Sequence, residues 1–332
     1  MTAARDPALA ATIASCTPLL YAEGADPKLD RPAHVRAGSS LARIGGRLVV
    51  IQDDANFLAV TDPASARVDS VSLPRGVRGA RQFDDRRENK AAKLDLEAAA
   101  VVSRDGEEWL LAFGSGSTPA RQSIALVRGW SLPAPHVTLV EAAALYAELR
   151  RTPDFAGSEL NVEGAVFVDG RIRLFGRGNG RPRDGLRPVD ATCDLDWLQL
   201  LSHLEDPEHV APPRPSRIVQ VHLGTLGGLR LGFTDATLGA GRVLFSAVAE
   251  ASPDVTRDGP VTGSVLGVFD GAGRVRWTSV MDSHGELFDG KIEGLQLADV
   301  TRGRLHVVVD RDDCDRATEL CEVELTGSWF DS

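Results

Sequence analysis

One hairpin pattern, written five times along the chain, constrains the fold more than any other feature. SLARIGGRLVVIQDD, VVSRDGEEWLLAFGSGS, AVFVDGRIRLFGRGNG, TLGAGRVLFSAVAE and LQLADVTRGRLHVVVDRDD each read as apolar strand, tight turn, apolar strand and polar loop. The copies begin near Ser39, Glu97, Glu163, Thr234 and Glu293, at spacings of 58, 66, 71 and 59 residues. Units of that length hold about four strands, and a repeated four-stranded unit predicts a propeller rather than a sandwich.

The outer strands are legible too. FLAVTD and RVDSVSLP complete the first unit, SIALVRG and HVTLVEA the second, ATCDLDW and SRIVQVHLG the third, SVLGVFD and RVRWTSV the fourth. The fifth has only ELCEVELTG, so TPLLYAE at residues 17–23 is expected to supply its outer strand and close the ring, which removes exposed sheet edges. The expectation is an all-β, five-bladed β-propeller forming one domain over residues 1–332, with blades at 38–75, 95–142, 160–223, 230–282 and 291–328. A count of six would need another repeat within residues 64–95, where apolar runs are too few. Helical spacing is confined to EAAALYAELRR and DWLQLLSHLE, expected to cap the outside of blades.

Composition narrows the partners. A net charge of −10 argues against nucleic acid bound through its phosphates. No run approaches the ~20 apolar residues of a membrane span, and MTAARDPALAATIASC lacks the apolar centre of a secretory signal. A cytoplasmic monomer is therefore expected. Cys16, Cys193, Cys314 and Cys321 form no CxxC pair, which disfavours structural zinc. Free thiols in a reducing compartment are the leading reading, and a Cys314–Cys321 pair across a hairpin is the other.

The first strand of each blade lines a propeller's channel, so equivalent positions meet at one height. Those positions read DLEAAA at Glu97, NVEGAV at Glu163 and KIEGLQ at Glu293, with GSSLAR at Ser39 and GFTDAT at Thr234 or Asp235. Converging carboxylates repel unless they take up protons, pair with bases or bind a cation. Hard oxygens in such a ring suit calcium, with carbonyls and waters completing the shell. The competing reading is that the glutamates bond to backbone amides at strand starts, with no metal.

The order Ser, Glu, Glu, Ser/Thr, Glu over five repeats resembles the calcium-activated nucleotidases of the apyrase type. GSSLARIGGRLVVIQDD, KLDLEAAAVV, GFTDATLGAGRVLFSAV and KIEGLQL carry the likeness, with NVEGAVF a looser match; together they cover about a quarter of the chain. The resemblance implies a five-bladed propeller with one calcium ion held in its tunnel. Glu97, Glu163 and Glu293 carry over directly, Ser39 by its distance to the Gly-Arg turn, and the fourth position as Thr234 or Asp235. The same strand starts also resemble bacterial phytase-like propellers. Metal-dependent lactonase and phosphotriesterase propellers expect Glu, Asn and Asp ligands over six blades, which the five-fold count disfavours.

The loops above these strand starts hold Arg86, Arg87, Lys90 and Lys93, then Ser115, Ser117 and Arg121, then Arg177, Asn179, Arg181 and Arg183. Arginine forks and Gly-Ser amides suit phosphate, so Arg87, Lys93, Ser115, Ser117, Arg121, Arg177 and Asn179 are candidate contacts for a phosphorylated or anionic small molecule. Acidic loops at Asp53, Asp54, Glu250, Asp254, Asp310, Asp312 and Asp313 would complete a half-basic, half-acidic rim. GRGNG lacks the helix of a phosphate-binding glycine loop, and GSGS lacks the setting of a nucleophile elbow. Of the seven histidines only His284, ahead of the last glutamate strand, is a candidate general base. Two readings follow: metal-assisted hydrolysis of a phosphate ester or anhydride, or a non-catalytic binding propeller stapled by a channel metal. On the first, Arg121→Ala or Arg177→Ala abolishes turnover at little cost in stability.

Overall fold

The structure is a computed structural model and describes residues 1–63, 67–132, 134–252, 254–256, 259–270 and 273–331. Strands β1 (Ala3–Arg5) and β2 (Leu9–Pro18) come first. The next four, β3 (Gly38–Ile44), β4 (Arg47–Gln52), β5 (Phe57–Thr61) and β6 (Val68–Ser72), form a sheet in chain order. A second such sheet contains β7 (Leu96–Arg104), β8 (Glu107–Gly114), β9 (Ser123–Arg128) and β10 (His136–Glu141). Helices α1 (Ala143–Arg150) and α2 (Pro153–Ala156) lead into the third sheet, made of β11 (Val162–Val168), β12 (Arg171–Gly176), β13 (Ala191–Asp196) and β14 (Ser216–Gln220). Helix α3 (Trp197–Glu205) is inserted before β14 and starts on the carboxylate of Asp196, which accepts from Gln199 N at 3.1 Å.

The remaining strands are β15 (Thr225–Leu226), β16 (Leu229–Gly239), β17 (Arg242–Glu250), β18 (Val261–Phe269), β19 (Val275–Met281), β20 (Lys291–Asp299), β21 (Arg304–Asp310) and β22 (Glu319–Gly327). They join with β2 in one sheet of order β15-β16-β17-β18-β19-β2-β22-β21-β20, with β1 alongside β19. This sheet is two antiparallel units, β16–β19 and β20-β21-β22-β2, bridged where Val280 and Met281 run parallel to Ala11 and Thr12. First strands of successive units pack side by side: β3 with β7, β7 with β11, β11 with β16, β16 with β20, and β20 with β3. The fold is mostly β in small sheets, an arrangement consistent with a propeller.

Local chemistry accounts for the hairpins. The first two strands of four units are joined at Gly45–Gly46, Asp105–Gly106, Asp169–Gly170 and Ala240–Gly241, each with both φ values positive. Such two-residue turns match the right-handed twist of their flanking strands. Strands carry apolar residues on both faces because each sheet packs against two neighbours. Phe175, Phe233, Phe245 and Phe269 interlock between the third and fourth units with ring centroids 5.3–6.4 Å apart.

Two expectations are corrected. The strand beside β22 is Leu9–Pro18 rather than residues 17–23. Leu9, Ala11 and Ile13 alternate inward along β2, a period-two signal muted by its small side chains, whereas Leu20 and Tyr21 make single bridges to His34 and Val68. The cysteines differ as well: Cys16 of β2 faces Cys321 of β22 and is disulfide-bonded to it, while Cys193 and Cys314 are free. The partner of Cys321 is thus the returning N-terminal strand. Among the described residues, no helix is long and apolar enough to cross a membrane.

Candidate functional site

Each of the five first strands carries a β-bulge at an equivalent place. The pairing with the second strand skips one residue, and the skipped residues are Ser39, Glu97, Glu163, Thr234 and Glu293. A bulge re-aims a side chain out of the ladder and recurs beside active sites. The fourth-repeat register is therefore Thr234, and Asp235 is the residue after it. The equivalents of Asp235 are Ser40, Ala98, Gly164 and Gly294.

These residues face the neighbouring first strand, which explains the Glu-Gly pairs. A Cβ on Gly294 would lie 2.7 Å from Leu41 N and Ser40 C, and one on Gly164 would lie 3.0 Å from Ala236 N. Asp235 is fully buried and bridges strands instead: its carboxylate accepts from Leu295 N at 3.0 Å and Ser40 Oγ at 3.2 Å. It ties β16 to β3 and β20.

The bulged glutamates open into a cavity of about 350 Å3 lined by Ser39, Glu97, Glu163 and Glu293, but not by Thr234 or Asp235. The two bulged hydroxyls support the wall. Ser39 Oγ donates to Leu96 O at 2.6 Å, and Thr234 Oγ1 to Ile292 O at 2.7 Å, each the residue before a glutamate. Among the described residues, twelve carboxylates and six cationic side chains line the cavity.

Most of these charges are arranged in buried pairs. Arg177 reaches Glu163 at 3.4 Å and also pairs with Glu250, while Asn161 Nδ2 donates to Glu163 Oε1 at 2.6 Å. Lys291 Nζ lies 2.8 Å from Glu293 Oε1 and 3.4 Å from Asp312 Oδ1. Lys93 bonds Asp53 and lies 2.6 Å from Asp95, whose other oxygen is 2.9 Å from Arg121. Several acids are left incomplete. Among the described residues, Asp53 Oδ1, Asp54 Oδ1 and Glu293 Oε2 are buried without a hydrogen-bond partner, and Glu97 makes no hydrogen bond or ion pair.

An excess of acids out of water raises their pKa values. Burial pushes Glu163 up to about 8 and Glu293 to about 7 against the pull of Arg177 and Lys291. Burial, with Asp53, Asp95 and Glu163 close by, holds Glu97 well above the usual range. Asp310 is raised by burial and by Asp312, and Asp54 rises to about 6 through burial and Asp53.

The candidate anion contacts look different from the sequence expectation. Arg87 bonds Asp84 at 2.6 Å, Arg86 bonds Asp315 at 2.8 Å, and Lys93, Arg121 and Arg177 are each committed to carboxylates. Ser115 Oγ donates to Asp95, and Ser117 Oγ accepts from Arg121 Nη1 at 2.9 Å, so both serines support Asp95. Acidic loops interleave with basic ones, and no separate basic half-rim forms. Arg177 is 5 % exposed, so Arg177→Ala would take the guanidinium away from two buried carboxylates instead of leaving stability untouched. Of the candidates, Lys93, Arg121, Arg177 and Asn179 line the cavity, whereas Arg87, Ser115 and Ser117 do not. His284 sits on an exposed turn outside it. Asp95, Asn161 and Lys291 were missed; they precede the bulges by two residues, and strand alternation was the signal that points them to the same side.

Sheet order and cavity together define a propeller-like β protein with a strongly acidic, partly unpaired site at its first strands. The chain belongs to the family described as "Family of unknown function (DUF6929)", which matches over residues 34–325. No curated protein matches it. Among solved structures it is similar to the native arabinanase of Bacillus subtilis, at 13% identity and TM-score 0.42, covering 87% of this chain and 94% of that one. An α-L-arabinanase mutant of Cellvibrio cellulosa gives 12% identity and TM-score 0.41, covering 87% and 92%. A thermostable family-43 glycoside hydrolase gives 11% and 0.43, covering 87% and 88%.

Proposed function

We propose that this chain is a five-bladed propeller, closed by β2, whose axial cavity binds a hard divalent cation of the calcium type. The circuit of first strands from β3 through β7, β11, β16 and β20 back to β3 supports the blade count. Glu97 carries the metal reading: it projects from a bulge into an acidic cavity and has no hydrogen bond or ion pair among the described residues. The partnerless, buried Oε2 of Glu293 adds to it.

Glu97, Glu163 and Glu293 supply hard oxygen donors, and Asp53 and Asp95 place carboxylate oxygens within 4.8 Å of one another and of Glu97. Ser39 stands on the same wall. A flexible shell of six to eight oxygens, finished by carbonyls and water, suits calcium better than magnesium. The ion would also offset the mutual repulsion of the acids.

Hydrolysis of a phosphate ester or anhydride is the catalytic extension of this reading. Because Arg121 and Arg177 are committed to carboxylates, an anionic substrate would be drawn by the ion, which would polarise a phosphoryl oxygen and orient water. A propeller that uses the ion only as a staple has the same binding behaviour without turnover.

Calorimetric titration with calcium tests the binding, using the wild type and Glu97→Gln. Saturable binding is expected, with affinity reduced at least about tenfold in the variant. A wild-type titration with no heat beyond dilution contradicts the reading. A screen of nucleotides, phytate and aryl phosphates in calcium then separates an enzyme from a stapled ring.

A further inference from the structure

We infer that Lys291 is a built-in counter-ion of the cation site, a group that competes with a divalent ion for Glu293 and thereby sets the site's affinity. The inference rests on the cation-binding reading. Lys291 lies two residues before the bulged Glu293 on β20, so strand alternation sends both side chains toward the cavity. Its side chain is 7 % exposed, and Nζ stands 2.8 Å from Glu293 Oε1, 3.4 Å from Asp312 Oδ1 and 3.7 Å from Glu250 Oε2.

A lysine ammonium offers three donors on a flexible stem and has no fork to lock onto one carboxylate. Among the described residues it sits between the carboxylates of Glu293, Asp312 and Glu250, as a small monovalent cation would. One oxygen of Glu293 is held by it and the other is buried without a partner. A divalent ion engaging Glu293 therefore meets the field of a fixed positive charge a few ångströms away. Arg177 plays a different part: its two terminal nitrogens are divided between Glu163 and Glu250, and its stem packs against Gly232.

The test is calcium titration at one pH of the wild type, Lys291→Met and Lys291→Arg, each checked for fold by circular dichroism. Lys291→Met should bind calcium more than about tenfold more tightly than the wild type. Lys291→Arg, which keeps the charge, should bind no more tightly. If Lys291→Met needs calcium in order to fold, the ion is replacing the ammonium and the inference stands. If it stays unfolded in calcium as well, Lys291→Gln decides: its calcium-induced rise in Tm should exceed that of the wild type, and an equal or smaller rise overturns the inference. Wild-type binding with no gain in a folded Lys291→Met removes the counter-ion role alone. No binding by the wild type or any variant removes the cation site itself.

Discussion

Asp235→Ala gives the sharpest test of how the first strands are held together. Asp235 is fully buried, follows a bulge, and accepts from the Leu295 amide on β20 and from Ser40 Oγ on β3. Alanine leaves that amide buried without an acceptor, at about 1–3 kcal/mol, and loses the hydroxyl bond as well, at about 1 kcal/mol. The expected loss is about 2–4 kcal/mol. At about 2–3 °C per kcal/mol for a large domain, Tm should fall by roughly 4–12 °C. Asp235→Asn keeps the volume and one carbonyl acceptor, so its loss should be about half as large. Urea unfolding and differential scanning calorimetry read both variants, and calcium titration should find the stoichiometry unchanged because Asp235 does not line the cavity. An Asp235→Ala protein melting within about 1 °C of the wild type would refute the bridging role.

Arg177→Ala should cost about 3–5 kcal/mol in urea melts by removing the guanidinium that the buried Glu163 and Glu250 share, with Glu163→Gln in the same background recovering part of it. Glu293 and Glu163 have folded pKa values raised to about 7 and about 8, above the ordinary carboxylate range. Their contribution to metal-free stability is complete below the unfolded pKa near 4.3 and is lost as pH rises through about 7 to 8, so Tm in EDTA should fall across that window. Calcium should flatten this slope, since its binding favours the ionised acids; a Tm that climbs from pH 5 to 8 in EDTA would contradict the assignment. Gly294→Ala should lose about 1–3 kcal/mol or more, because its methyl meets the Ser40–Leu41 backbone at 2.7 Å, and thermal melts should show it. Reduction of Cys16–Cys321, or Cys16→Ser, should lower stability by about 2–5 kcal/mol, read as a shift in the urea midpoint between oxidised and reduced protein.

Much of the fold was legible because the repeated hairpins carry their own turn chemistry. Asp105–Gly106 and Asp169–Gly170 announce tight turns, and the apolar runs beside them have to be strands. The helices α1 and α3 followed from their 3.6-residue spacing. The strand beside β22 is hard to place because the alternation of Leu9, Ala11 and Ile13 is carried partly by an alanine, while TPLLYAE looks more apolar and pairs with β22 only through Thr17 and Pro18. Recurrence points to the bulge positions Ser39, Glu97, Glu163, Thr234 and Glu293, but a sequence does not announce a bulge, which leaves Thr234 and Asp235 undecided until the strand pairing is seen. Ion pairing was hidden for another reason. Arg177 and Glu250 are 73 residues apart, and Lys93 and Asp53 are 40 apart, so only the folded chain reveals that the cations are already committed.

The cation we propose at the first-strand bulges is tested most directly by elemental analysis of protein purified without chelator, paired with thermal melts in EDTA and in calcium. A bound divalent metal, or a calcium-dependent rise in Tm of several degrees that Glu97→Gln diminishes, is the expected result. Metal-free protein whose melting is indifferent to both calcium and EDTA would contradict the account.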